Sequence, residues 1–392
     1  MNPLLLLPLL LSPQQSRATV TTVDELRDAV SRAKPGTVIQ LAPGTYAGGL
    51  AFKNVRGEAG KPVVIEASDP KNPPVVKGGG TGLQLSSVAH VEIRDLAFDG
   101  CTGNGLNIDD SGKAESPSHH VVLKNLRITR IGSKGNQDGI KLSGVTDFRV
   151  DACVVDQWGA GGSAIDMVGC HRGVIEANTF MSTAGTSSGV QTKGGSSDIT
   201  IRKNRFENAG SRAVNIGGST GRQYFRPALA EKPPEAIKSP IHVEARNITV
   251  EGNTFIGSDS PIAFVGVDAA IVRFNTIYAP NRWAIRILQE TADADFIACR
   301  NGKFTDNIVA FKSAQWSSGG VNIGANTEPS SFVFARNVWY CLDAPTAHKP
   351  KLPADEQNGV YGTNPQFRDP SNGDVRLGPN SPVRAYGAEA LK

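Results

Sequence analysis

Ile175-Glu176-Ala177-Asn178-Thr179-Phe180 is the stretch on which the fold turns, because it keeps returning. It recurs as Ile201-Arg202-Lys203-Asn204-Arg205-Phe206, as Val250-Glu251-Gly252-Asn253-Thr254-Phe255 and as Val272-Arg273-Phe274-Asn275-Thr276-Ile277. Phe304-Thr305-Asp306-Asn307-Ile308-Val309 and Phe334-Ala335-Arg336-Asn337-Val338-Trp339 continue it. Upstream, Leu96, Leu126 and Cys153 hold the same slot in the same hydrophobic frame, without Asn. Successive spacings are 30, 27, 25, 26, 49, 22, 32 and 30 residues, the period of a solenoid. Six asparagines at one slot read as an internal ladder, each side chain bonding turn backbone and its neighbours, because buried turn backbone demands partners.

The composition agrees. Among 392 residues there are 43 Gly and 24 Pro, and few apolar stretches of helical spacing, which favours many short strands joined by turns. The fold class expected is all-β, one elongated domain of about ten stacked coils. Thr22 to Ala33 has apolar residues at helical spacing with acidic residues in the first turn, so a short helix is expected to cover the open end of the stack. The domain is expected over residues 19–345, with residues 346–392 as a tail or cap packed on the stack.

Charge gives no support to one class of partner. The balance of 41 basic and 37 acidic residues gives a net charge of +4 without a basic run, which offers no argument for nucleic acid. Residues 1–18 join an apolar run of about eight residues to small and polar ones, as a secretory signal does. That run is too short to span a bilayer, and no other segment is apolar enough, so a soluble secreted or periplasmic monomer is expected. Cys101, Cys153, Cys170, Cys299 and Cys341 form no CxxC pair and no Cys/His metal spacing. Their simplest role is as small apolar residues inside the stack.

A second column emerges once the coils are aligned. Its segments run from Gly105-Leu106-Asn107-Ile108-Asp109 to Gly320-Val321-Asn322-Ile323-Gly324. The middle position reads Asn107, Lys141, Asp166, Gln191, Asn215, Ala263, Arg286, Asn322, flanked by inward apolar residues. A period of two points these residues outward together, and stacking makes consecutive members neighbours at about 4.8 Å. Such a mixed line of Lys, Asp, Gln, Asn and Arg is a candidate binding surface, with a plain solvated face as the alternative. Insertions at 218–244 and 289–303 leave the stack at the end of this strand and could wall a groove over it.

With capping helix, opening coil, Asn-bearing turns and coil length in view, residues 20 to 345 resemble the right-handed parallel β-helix proteins of the pectin-lyase-like superfamily. Gly189-Val190-Gln191-Thr192-Lys193 followed by Ile201 to Phe206 is similar to the chondroitinase B and alginate lyase group, polysaccharide lyase family 6. The resemblance implies an anionic, uronate-containing polysaccharide along the stripe, Lys193 as base and an assisting Arg on the next coil. That Arg slot falls near Gly217, with Arg212 and Arg222 close by. The glutamates that bind calcium in that group correspond to Ser188 and Thr186, so no cofactor or metal is assigned, and calcium stays open without its acidic ligands.

β-Elimination on a uronate needs a base for the C5 proton, neutralisation of the carboxylate and an acid for the leaving oxygen. Lys193 is the candidate base, on the expectation that burial and the flanking cations Lys141 and Arg212 favour its free amine. Arg212, Arg222 or Arg286 would fork the carboxylate, with Asn215 and Gln191 as hydrogen-bond donors and Tyr224 as acid or base. The catalytic candidates are therefore Lys193, Arg212, Asn215 and Tyr224. Those for substrate binding are Asn107, Lys141, Asp166, Gln191, Arg222, Arg286 and Glu290. Two alternatives stand: a glycoside hydrolase pairing Asp166 with Asp138 or Glu290, and a carbohydrate-binding protein without catalysis.

Overall fold

The six repeated asparagines are buried and bonded to one another in a row. Asn178, Asn204, Asn253, Asn275 and Asn307 each donate from Nδ2 to Oδ1 of the next, at 2.9–3.0 Å, ending on Asn337. Each Oδ1 also accepts the backbone N–H of the preceding Asn, and each Nδ2 reaches a backbone carbonyl. A carboxylate closes the row: Glu356 Oε1 accepts from Asn337 N and Nδ2 at 2.9 and 2.8 Å. At the other end the Cys153 amide donates to Asn178 Oδ1, and the Cys153 thiol accepts from Leu126 N. The ladder expected from sequence is present. Its reason is local, because the residue before each Asn turns through a left-handed conformation (Ala177, Lys203, Gly252, Phe274, Asp306, Arg336) that strands turn amides inside the stack.

The structure is a computed structural model that describes residues 17–132, 135–182, 188–234, 239–345 and 349–391. Three parallel sheets of 14, 10 and 12 strands run its length, each coil adding a strand to each, which makes a parallel β-helix. The ten-stranded sheet carries the polar column. The twelve-stranded sheet carries an inward file of aromatics, with Phe180–Phe206 and Phe206–Phe255 centroids 4.9 and 4.7 Å apart. Each fully buried Phe contributes roughly 1.5–3 kcal/mol of transfer free energy, and Phe180, Phe206 and Phe255 are all fully buried.

The helix Val23–Ser31 forms as expected, with a capping box between Thr22 and Glu25, and it buries Leu26 and Val30 against the first coil. Residues 1–16 of the expected signal lie outside the described residues, while Arg17–Val20 already pairs in register with Val38–Leu41. At the far end, coiling continues beyond residue 345. Glu356–Gln357 and Val360–Tyr361 add strands after Val333–Ala335 and Val338–Cys341. The remaining chain folds back along the stack, where Arg205 donates to Gly373 O and Thr276 Oγ1 accepts from Ala388 N. All five cysteines are buried and unpaired, and burial pushes the Cys153, Cys170 and Cys299 thiols up to about 12. Among the described residues no helix is long and apolar enough to cross a membrane.

Candidate active site

The polar column is in register along the ten-stranded sheet. Asn107 pairs with Lys141, Lys141 with Asp166, Asp166 with Gln191, and Gln191 with Asn215. Asn215 then faces Ala263, Ala263 faces Arg286, and Arg286 faces Asn322. Lys193 ends the strand Ser188–Lys193, two residues past Gln191, and so shares its face.

The column is not the uniformly exposed line that alternation suggests, since Asp166 and Asn215 are only 1% and 2% exposed. Lys141 from one coil and Lys193 from another close over Asp166. The Lys141 ammonium contacts Asp166 Oδ2 directly and lies 3.4 Å from Asp138, while Lys193 Nζ lies 3.3 Å from Asp166 Oδ1. The sequence expectation set the cations Lys141 and Arg212 beside Lys193, but the structure puts a carboxylate between the two lysines. Burial, reinforced by the neighbouring Asp166, pushes the Asp138 carboxyl up to about 6 against the pull of Lys141. Burial also works against the Lys141 ammonium, but Asp166 and Asp138 outweigh it and hold Lys141 above the ordinary lysine range. Asp138 is further fixed by the Ser163 amide, which donates to it at 2.8 Å.

The first insertion forms the opposite wall. Gly218 packs against Gln191 and Lys193, so close that a Cβ there would meet Gln191 Nε2 at 2.5 Å. Glu244, fully buried, gathers four donors: Gly194 N, Thr220 N, Thr220 Oγ1 and Thr291 Oγ1, at 2.9, 2.9, 2.7 and 2.7 Å. One carboxylate thus ties both insertions to the turn after Lys193. Arg226 Nε donates to the fully buried Asp110 at 2.9 Å, pinning the same loop three coils away from Lys193. Between loop and sheet lies a groove of about 580 Å³ whose lining includes Asn107, Lys141, Lys193, Tyr224 and Arg226. Tyr224 is 59% exposed on the loop side.

Other candidates lie elsewhere. Arg222 does not present its fork to the groove: it bonds Asp295 through two nitrogens (3.0 and 2.7 Å) and Asp293 (3.0 Å), joining the two insertions. Arg212 pairs with Glu290 at 2.6 Å and donates to Asn215 at 3.3 Å. Arg286 lies over the Trp283 ring at 4.7 Å and donates to Asn322, and burial together with Arg212 lowers its pKa. These residues make a second patch farther along the column, beside the lining of the Lys193 groove. Ser188 pairs in register with Ser163 and Arg212, a hydroxyl flanked by a hydroxyl and a guanidinium, which is no calcium cradle. Thr186 lies outside the described residues. For a hydrolase the geometry is poor, because Asp138 and Asp166 both turn to Lys141 at 1% exposure and Glu290 is held by Arg212.

Arg226, Asp110 and Glu244 were not among the sequence candidates. The insertions carry no register, and nothing in their composition marks which polar residue folds inward.

Comparison with known proteins agrees on architecture. The family described as right handed beta helix region matches residues 81–224. The fold is a right-handed parallel β-helix. A solved alginate lyase from Paenibacillus sp. str. FPU-7 superposes with TM-score 0.53 at 19% identity, covering 88% of this chain and 98% of that one. A variant of the PL6 family alginate lyase AlyGC gives 0.51 at 14% identity, covering 96% of this chain and 57% of that one. Pectate lyase Pel9A gives 0.50 at 12% identity, over 92% and 85%. At these identities the likeness is one of fold. No curated protein matches by sequence.

Proposed function

We propose that the protein is an exported polysaccharide lyase that cleaves a uronate-containing polymer by β-elimination in the groove between the ten-stranded sheet and the first insertion. The observation that carries this reading is that Lys193 and Tyr224 line one groove from opposite sides, with Arg226 and Lys141 beside them. A base on the rigid sheet and a hydroxyl on the loop are what removal of the C5 proton and protonation of the leaving oxygen require. Lys193 is the group placed to take the C5 proton. Arg226, locked by Asp110, offers guanidinium N–H groups to the uronate carboxylate and stabilises charge that develops as the C5 proton leaves. Asn107 adds an amide, and Tyr224 delivers a proton to the glycosidic oxygen. Lys141, committed to two buried carboxylates, holds Asp166 and through it Lys193. The solved structures with which this chain shares its fold are named as alginate and pectate lyases, which directs the choice of substrates. The expected signal at residues 1–18 is consistent with export, and the buried cysteines need no reducing compartment.

The test is incubation with alginate, pectate and glycosaminoglycan substrates, with and without calcium, following ultraviolet absorbance of the unsaturated product. Lys193→Ala is expected to lower kcat by about 10²–10⁴-fold, the usual worth of a positioned base. Failure to cleave any uronate polymer, or full activity in Lys193→Ala, would sink the reading. Reducing ends without absorbance would mean hydrolysis, and retention without turnover a binding protein.

A further inference from the structure

A second cluster of chemistry-bearing side chains lies on the fourteen-stranded sheet, away from the groove. Three of the six histidines in the chain, His90, His119 and His120, gather on the neighbouring strands Ala89–Arg94 and Ser118–Lys124. The backbone explains the gathering. His90 and His120 adopt left-handed conformations with φ of 51° and 53°, and the ladder pairs His119 with Ala89 and Val121 with Val91 around them. A left-handed residue breaks the strict alternation of a strand, so the rings of consecutive His119 and His120 stay together instead of parting to opposite faces. The coil stack does the rest, laying His90 and His120 over one another with centroids 4.3 Å apart at 25°.

The ring nitrogens converge. Nδ1 of His119 and Nδ1 of His120 are 2.9 Å apart, and one nitrogen from each of the three rings lies within 4.8 Å of the others. Imidazole nitrogens bind zinc-like ions at about 2.0–2.1 Å, so a 2.9 Å separation fits two ligands subtending roughly 90° at one ion. That angle suits the square-planar or octahedral preference of Cu²⁺ and Ni²⁺, and a nitrogen of the third ring stands within 4.8 Å of both. Among the described residues this is the one set of three or more His, Cys, Asp or Glu side chains so gathered. A hollow of about 310 Å³ opens beside His90 and His120, with the carboxylates of Glu58 and Asp147 on its wall to offset a dication. Arg149 and Glu92 share that wall, but Asp147 is paired with Arg172 and Glu92 with Arg94, which leaves Glu58 as the main acidic neighbour.

We propose that His90, His119 and His120 form a binding site for one transition-metal dication of the imidazole-preferring class, with Cu²⁺ or Ni²⁺ favoured over Zn²⁺ by the two converging Nδ1 atoms. An all-nitrogen set of three imidazoles is the wrong donor for calcium, a hard ion that takes oxygen. The site is independent of the lyase reading, because it lies on a different sheet.

The experiment uses the untagged full chain, stripped with chelator and desalted, and titrated with CuCl₂ in a calorimeter. One equivalent should bind, and the electron paramagnetic resonance spectrum should show nitrogen coupling from more than one imidazole. His120→Gln and His90→Gln should each weaken the affinity by at least about tenfold, the size seen when even a supporting partner of a metal ligand is lost. His171→Gln, on a coil farther along, should leave it unchanged. Absence of a stoichiometric site, binding that survives the triple His→Gln variant, or a spectrum without nitrogen coupling would overturn the proposal. Folding of each variant is followed by circular dichroism. If a variant unfolds, the wild-type spectrum and stoichiometry decide on their own.

Discussion

Lys193 Nζ lies 3.3 Å from the carboxylate of Asp166, a residue one coil away and 1% exposed. The candidate base is therefore positioned by a buried acid that also holds Lys141, which makes the three a unit whose members cannot be removed independently. Asp166→Asn keeps the shape and removes the charge that Lys141 and Lys193 both contact. We expect kcat/KM to fall by about 10–100-fold, or about 1.4–2.7 kcal/mol of transition-state stabilisation. The thermal midpoint should fall as well, because Lys141 loses one of its two buried carboxylate partners. Steady-state kinetics with a cleaved polymer and a thermal scan read both effects. An unchanged kcat/KM in a folded variant would remove Asp166 from the site.

Asp138 supplies a pH dependence of stability. Its folded pKa is raised to about 6 from an ordinary 3.8. A raised carboxyl binds its proton more tightly folded than unfolded, so its contribution is present below the unfolded value and lost as pH climbs through the folded one. Asp138→Asn mimics the protonated acid and abolishes that loss. Between pH 4 and pH 7 the thermal midpoint of Asp138→Asn should rise relative to wild type, with most of the change between about 4 and 6. A difference that does not vary with pH would place the titration elsewhere.

Tyr224 sits on the loop wall at 59% exposure, free of the packing that would make its loss structural. Tyr224→Phe removes one hydroxyl and nothing else. As a proton donor in the transition state it should cost kcat about 10²-fold with little change in KM. A rise in KM with unchanged kcat would assign Tyr224 to sugar stacking.

Arg222 and Asp295 join the two insertions through partly buried, two-pronged contacts, with side chains 12% and 4% exposed. Truncating either to Ala should loosen both loops. Because the partners touch, the double variant should lose less stability than the sum of the singles, with a coupling of about 0.5–3 kcal/mol. Limited proteolysis of the 218–234 region should rise equally in all three variants. Additive effects would mean that the pair does not act as a clasp.

The sequence carried most of the fold and about half of the candidate site, and the division has a physical cause. Whatever repeats once per coil is legible, because stacking converts a period into a column: the Asn178–Asn337 ladder and the Asn107–Asn322 line both come through in register. What neutralises what within a column is less legible. Asp166 reads as one outward polar residue among many, and only the stack reveals that Lys141 and Lys193 close over it. The loop residues are the least legible. Arg226 reaches Asp110, and Glu244 gathers Gly194, Thr220 and Thr291, because two insertions fold back on the sheet, and no spacing announces that. The histidine cluster falls between these cases, since His90 and His120 are one coil apart but share no repeated motif.

The asparagine ladder is the scaffold on which that register depends, and its energetics can be tested at one position. Asn253 Oδ1 accepts two donors from Asn204, and its Nδ2 donates to Ile201 O and to Asn275 Oδ1. Asn253→Ala leaves at least the Asn204 amide and Nδ2 without acceptors in a site that is fully buried. Each orphaned buried group costs about 1–3 kcal/mol, so a loss of at least about 3 kcal/mol is expected. Asn253→Asp keeps the acceptor and abolishes the donor, and it adds a buried charge, so it should be no milder. A coil stack unfolds through neighbouring units, so the loss is best read as a drop in thermal midpoint alongside hydrogen exchange of the Asn204 and Asn253 amides. Faster exchange confined to the coils around Asn253 is the expected pattern. Exchange unchanged at those amides, with the midpoint held, would show that the ladder follows from the coil stack and does not stabilise it.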